Sequence, residues 1–131
     1  MRRNISSGAE WEDMVGYSRA VRIGNQIEVA GTTAVVNGEV VGVNDPYLQT
    51  KCILQIIQKA LEEAGASLED VIRTRIFVVN MDHWQAVGKA HGEFFKEIKP
   101  AATMIGVKSL INKDLLVEIE AAAVLFKSGK K

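Results

Sequence analysis

The chain has one cysteine, Cys52, two prolines, two histidines and no surplus of charge, with 16 Lys and Arg against 16 Asp and Glu. A single cysteine excludes an internal disulfide framework. Cys52 lies in an apolar helical run, where it reads as a small buried hydrophobe in a protein of a reducing compartment. A formal net charge of zero, with no long block of one sign, gives no general attraction to a nucleic-acid backbone. No stretch approaches the ~20 apolar residues of a membrane span. The opening MRRNISSGAEWED also lacks the apolar core of a secretory signal. These absences point to a cytoplasmic protein with no membrane partner. His83 and His91 stand too far apart on one helix to share a metal, and the acids near them are scattered, so no metal site is expected. His91, among Trp84, Val87, Phe94 and Phe95, reads as a core or half-buried histidine, and His83 as an exposed one.

What is present is a composition of 47% hydrophobic and 24% charged residues over 131 positions, enough for one globular domain spanning 1–131. Residues 16–23 alternate as a strand, and Gly24-Asn25 is a hairpin signal before QIEVAGTTAVV. Gly31 inside that run suggests a bulge or a close backbone approach. Asn37-Gly38 marks a second tight turn before EVVGV. Asp45-Pro46 starts a helix that Gly65 ends. Ser67 and Asp70 form a short capping box ahead of the strand VIRTRIFVV, 71–79. Asp82 opens a second helix that Pro100 ends, and AATMIGVKSL and LLVEIEAAAVLF give two more strands. KSGKK reads as a solvated tail. About six strands and two long helices result, each helix a crossover between parallel strands of one mixed sheet.

Two helices cover one face of such a sheet and leave the other bare. On that face the alternation puts Glu118, Glu120, Ala122, Val124 and Phe126 of one strand. Arg73, Arg75 and Phe77 of another strand share a face, opposite Ile72, Thr74, Ile76 and Val78. Mixed charged and apolar faces of this kind suggest coverage by another subunit, with Glu–Arg pairs near the seam. The plainer reading is a wet face with cross-strand ion pairs worth little each.

The order of elements, with GYSRAV at 16–21, VAGTTA at 29–34, GASLEDVIRTRIFV at 65–78, HGEFF at 91–95, KPAATM at 99–104 and LLVEIEAAAV at 115–124, resembles the Rid family of YjgF-like reactive-intermediate deaminases. The likeness covers almost the whole chain. It implies a chorismate-mutase-like α+β fold, a mixed six-stranded sheet with two helices on one face. It also implies a homotrimer with a ligand cleft at each subunit boundary. The founding activity of the family is hydrolysis of 2-imino and 2-enamino acids, with no metal or organic cofactor.

Carried onto this sequence, the resemblance makes Tyr17 the cleft tyrosine, Gly31 the glycine whose backbone faces the ligand, and Glu120 the acid that orients water. Thr32 is a further candidate cleft residue beside Gly31. The serine usual before that glycine is Ala30, and the asparagine of the second helix is Gly88. The carboxylate-binding arginine is Ala102, and the frequent cysteine two residues on is Met104. Loss of that arginine counts against the usual 2-imino acid activity, because a charged hydrogen-bonded pair contributes about 1.5–3 kcal/mol. Arg19, two residues from Tyr17, is the best candidate to replace it, with an interface or surface salt bridge, Glu120 being one candidate partner, as the plain alternative. Lys108 is a weaker candidate. The resulting expectation is a homotrimer that binds, and hydrolytically deaminates, a small reactive imine or enamine metabolite. The alternative is a binding trimer without catalysis, and an endoribonuclease or translation inhibitor is the less favoured third reading.

Overall fold

The computed structural model describes residues 1–126; the tail expected at 127–131 lies outside the described residues. Its elements are β1 (Arg2–Ile5), α1 (Glu10–Val15), β2 (Ala20–Ile23), β3 (Gln26–Thr32), β4 (Val35–Val36), β5 (Glu39–Val40), α2 (Pro46–Glu63), β6 (Val71–Val78), α3 (Trp84–Phe95), β7 (Ala101–Gly106) and β8 (Val117–Val124). Six strands form one sheet in the order β1-β2-β3-β8-β6-β7, and β4 pairs only with β5. The sheet is mixed: β8 runs antiparallel to both β3 and β6, while β6 and β7 are parallel.

α2 therefore links β3 to a strand of the same direction, with β8 between them, and α3 links the parallel neighbours β6 and β7. Asp45 caps α2 by accepting from the Leu48 N–H at 3.0 Å, and Pro46 occupies the first turn. Ile53, Ile57, Ala60 and Leu61 give α2 a buried stripe against Ile27, Val29, Ile119 and Ala121 of the sheet. Along β8, Val117, Ile119, Ala121 and Ala123 are buried, while Glu118, Glu120, Ala122 and Val124 are half-exposed. The helices thus cover one face of the sheet, as the alternation predicts.

Three local expectations are corrected. The strand expected over 16–23 is regular only from Ala20, because α1 and its turn occupy the residues before it. The sixth strand of the sheet is Arg2–Ile5 rather than EVVGV, which folds into the separate β4–β5 hairpin. Ile72 is 51% exposed instead of sharing the helix-covered face with Thr74 and Ile76. A register shift between Val71 and Arg73 interrupts the alternation there. The capping box at Ser67 and Asp70 and the buried Cys52 match expectation.

Candidate functional site

The site is built where the N-terminal segment crosses β3. α1 ends at Gly16, whose left-handed φ of 92° suits glycine and whose N–H donates to the Glu12 carbonyl at 2.9 Å. That turn delivers Tyr17 and Arg19 to the sheet. The Arg19 N–H donates to the Ile5 carbonyl and the Ala30 N–H to the Arg19 carbonyl, at 2.8 and 2.9 Å. The backbone therefore continues the β1–β2–β3 ladder past the regular strands, and Arg19 sits at the junction.

β3 bulges opposite this point. Val29 pairs with Ala121 and Thr32 with Ile119, so Ala30 and Gly31 together face Glu120. The glycine signal in the sequence is thereby explained, and its cause is a side chain. A Cβ on Gly31 would lie 3.0 Å from Glu118 Cδ and overlap the carboxylate itself. Thr32 is buried and its hydroxyl donates to the Ala30 carbonyl at 2.8 Å, which ties the bulge internally and turns the hydroxyl away from any ligand.

Arg19 is only 9% exposed. Its Nη2 donates to the Gly31 carbonyl at 3.2 Å, its guanidinium carbon lies 5.5 Å from the centre of the Tyr17 ring, and its Nε has no hydrogen-bond partner among the described residues. The expectation that Arg19 shares the neighbourhood of Tyr17 holds. The alternative of a bridge to Glu120 does not, since Glu120 faces Arg75 Nη1 at 3.8 Å across the β6–β8 ladder. Both members of that pair are well exposed, so its net contribution is small.

The carboxyls around the bulge differ. Burial, then the charge of Glu120, push the Glu118 carboxyl up, against an opposing pull from Arg19. Burial also tends to raise Glu12, but hydrogen bonds from the Ser7 and Ser6 side chains and the Ser7 N–H, with the Arg19 charge, outweigh it and leave Glu12 below its ordinary value.

Tyr17, Ala30 and Glu120 line an open cleft of about 680 Å³. Its charged lining is Glu12, Asp13, Glu28 and Glu120, with Arg2 as the cation. Ala102 and Met104 are elsewhere in the chain. They lie on β7, with β8 and β6 between that strand and β3. They pair with Thr74 and Ile76, on the helix-covered side, where Met104 packs against the core. Lys108 is exposed beyond the end of β7. One chain thus brings together Tyr17, Arg19, Gly31, Thr32 and Glu120, and leaves Ala102 and Met104 at the far edge of the sheet.

The histidines follow their surroundings. His91 is half-buried, its Nε2 is 2.9 Å from the Thr74 hydroxyl and its ring packs on Phe95, and burial pushes its pKa down. His83 is half-buried rather than exposed, with Nδ1 lacking a hydrogen-bond partner among the described residues. Among the described residues no group of three or more His, Cys, Asp or Glu side chains could hold a metal ion. No helix among them is long and apolar enough to cross a membrane. Sequence reasoning missed the contact of Glu118 with Gly31. The signal was VEIE placed against an in-strand glycine, but the bulge that aligns them is not written in either segment.

Comparison with known proteins agrees with this architecture. Residues 8–125 match the family described as Endoribonuclease L-PSP. An uncharacterized protein of Streptomyces coelicolor is 39% identical over 121 residues, covering 92% of this chain and 90% of that one. A protein of Acinetobacter baylyi named 3-aminoacrylate deaminase RutC is 33% identical over 108 residues, covering 82% and 85%. The crystal structure of a Mycobacterium tuberculosis member of the YjgF/YER057c/UK114 family superposes with a TM-score of 0.87 at 46% identity, over 95% of this chain and 100% of that one. With its mixed six-stranded sheet, its bulged third strand and a match running nearly end to end, the chain belongs to the YjgF-like Rid family.

Proposed function

We propose that this chain binds a small imine- or enamine-type metabolite and hydrolyses it to the carbonyl compound and ammonia, at clefts completed between three copies of itself. The observation that carries this reading is the convergence of Tyr17, Glu120 and the β3 bulge, through Ala30, on one cleft. It occurs in a chain 33% identical to a protein named 3-aminoacrylate deaminase. Tyr17 packs over the ligand, the Gly31 backbone hydrogen-bonds it, and Glu120 orients the attacking water. The edge strand β7 of a neighbouring copy, where Ala102 is exposed, supplies the opposite wall. Supporting that assembly, the face left bare by the helices carries Ile105, 46% exposed.

Substrate charge follows from the cations. Arg19 already donates to a backbone carbonyl and Ala102 offers no charge, so the usual 2-imino acids lack their anchor. The same inward Arg19 favours, as a second reading, a trimer that binds without catalysis. An RNA-directed role is disfavoured by the four carboxylates of the cleft, which repel phosphate.

The test is ammonia release from freshly generated 3-aminoacrylate and from 2-imino acids, with sedimentation of the same samples. The expected outcome is a species three times the 14.3 kDa chain. It should accelerate at least one enamine or imine, and Glu120→Gln should lower that rate about 100-fold. A rate equal to the spontaneous one removes the catalytic reading and leaves the binding one.

A further inference from the structure

The bulge of β3 keeps its own acceptors occupied. Ala30, which lines the cleft, has its carbonyl bonded by the Thr32 hydroxyl at 2.8 Å and gives its N–H to the Arg19 carbonyl at 2.9 Å. The register shift between Val29 and Thr32 takes Gly31 out of the regular ladder. Its carbonyl is met instead by Arg19 Nη2 at 3.2 Å. Arg19 is buried in that position, with its guanidinium beside the Tyr17 ring and its main chain bonded to Ile5 and Ala30. Among the described residues it forms no ion pair, so a salt bridge does not account for where it lies.

We infer that Arg19 is a specificity-determining residue: it takes the place of a ligand N–H at the Gly31 carbonyl, so the site accepts N-substituted imines as well as imines that carry N–H. The substrate class rests on the hydrolytic reading above; the filled carbonyl does not. A peptide carbonyl that is shielded by a bound ligand and has no other donor penalises every ligand without an N–H, because the carbonyl is then left unpaired. Arg19 supplies the donor from within the chain and removes that penalty. The bond that the Gly31 backbone makes to a ligand is then one it donates, to the lone pair that neutral imines of both kinds have. The open cleft of about 680 Å³ leaves room for a group on the nitrogen, and its four carboxylates suit a ligand without an anion of its own. Hydrolysis of such an imine balances as before. The oxygen of water ends on carbon, both its hydrogens end on nitrogen, and the C=N bond gives a carbonyl compound and a primary amine.

The experiment compares acetophenone imine with its N-methyl derivative, freshly dissolved, in the full chain and in Arg19→Lys and Arg19→Met, following acetophenone by absorbance. Benzamide and N,N-dimethylbenzamide, which do not react, are titrated into the same proteins by NMR as a second pair that differs in N–H. Wild type and Arg19→Lys should treat the members of each pair alike, within about threefold in kcat/KM or Kd. Arg19→Met keeps the stem and removes the donor, and it should favour the N–H member of each pair about 30-fold. An Arg19 that only ties strands together would, when replaced, weaken both members of a pair by the same factor, and that result overturns the inference. So does a wild type that favours the N–H members about 30-fold by itself, a comparison that decides the matter even where Arg19→Met does not fold. If neither imine is hydrolysed faster than in buffer while the amides follow the expected pattern, the hydrolytic reading falls and the role of Arg19 stands. A wild type that engages neither pair overturns both.

Discussion

Glu12 is 4% exposed, yet it accepts hydrogen bonds from the hydroxyls of both Ser6 and Ser7 and from the Ser7 N–H. These bonds fold the segment before α1 onto the helix, which positions the turn that presents Tyr17. Because the folded carboxyl is held below its ordinary value, the unfolded chain binds that proton more tightly. The contribution is therefore complete above the ordinary glutamate value and fades as pH falls through it toward the lowered one. Glu12→Gln should cost about 2 kcal/mol at pH 7, the scale of hydrogen bonds to a charged group. Urea titrations at stepped pH should show the gap to wild type closing as the solution is acidified below the ordinary glutamate value. A gap of constant size at every pH would mean that the charge is not what holds this segment. None of this was legible in SSGAEWED, where Glu12 is one acid among three and no element was expected. Its burial depends on which way the segment folds back, and that is set by β1.

At the level of elements, the most readable parts were those with local punctuation. Asp45-Pro46 and Gly65 bracket α2, and Asn37-Gly38 turns β4 into β5. β1 was not readable, since RRNI carries one buried residue, Ile5, and is a strand only because β2 offers it an edge. A less visible element-level contact is Gln49, fully buried on α2. Its amide nitrogen donates to the carbonyls of Gly42 and Asp114 at 3.0 and 2.8 Å, and its oxygen accepts from the Leu116 N–H at 2.8 Å. One side chain thus bonds three backbone groups of two loops that are distant in sequence. On sequence it is a polar residue in an apolar run, with nothing to say that both loops would come to it. Gln49→Leu keeps the bulk and strands the Asp114 carbonyl and the Leu116 N–H, while the Gly42 carbonyl keeps its bond from the Asp45 N–H, so the expected loss is about 3 kcal/mol. That loss should lower the thermal midpoint by roughly 10 °C. Calorimetry that finds the midpoint unmoved would mean water replaces the amide.

For the molecule as a whole, the alternation along β6 and β8 gave the covered and bare faces except at Ile72, and the punctuated elements from β2 onward were read in their order. What neither could give was the distance between the two groups of candidate residues. Tyr17, Gly31 and Glu120 gather on β3 and β8, and Ala102 and Met104 lie on the far edge strand, because strand order is decided by pairing rather than by chain position. That order has a further consequence for how the protein comes into being. β8 leaves the ribosome after the other described strands, yet it is the seam between β1-β2-β3 and β6-β7, which pair with it and not with each other. Joining them through β8 is a long-range closure of the kind that makes folding slow and invites mispairing. A fragment ending at residue 114 should lack cooperative unfolding in calorimetry, and a synthetic peptide of residues 115–126 added to it should restore a transition. A fragment that melts cooperatively by itself would show that the two halves find another way to close. The strand that carries the glutamates is thus also the one that completes the sheet, so a chain that stalls before it has neither a fold nor the acids of its site.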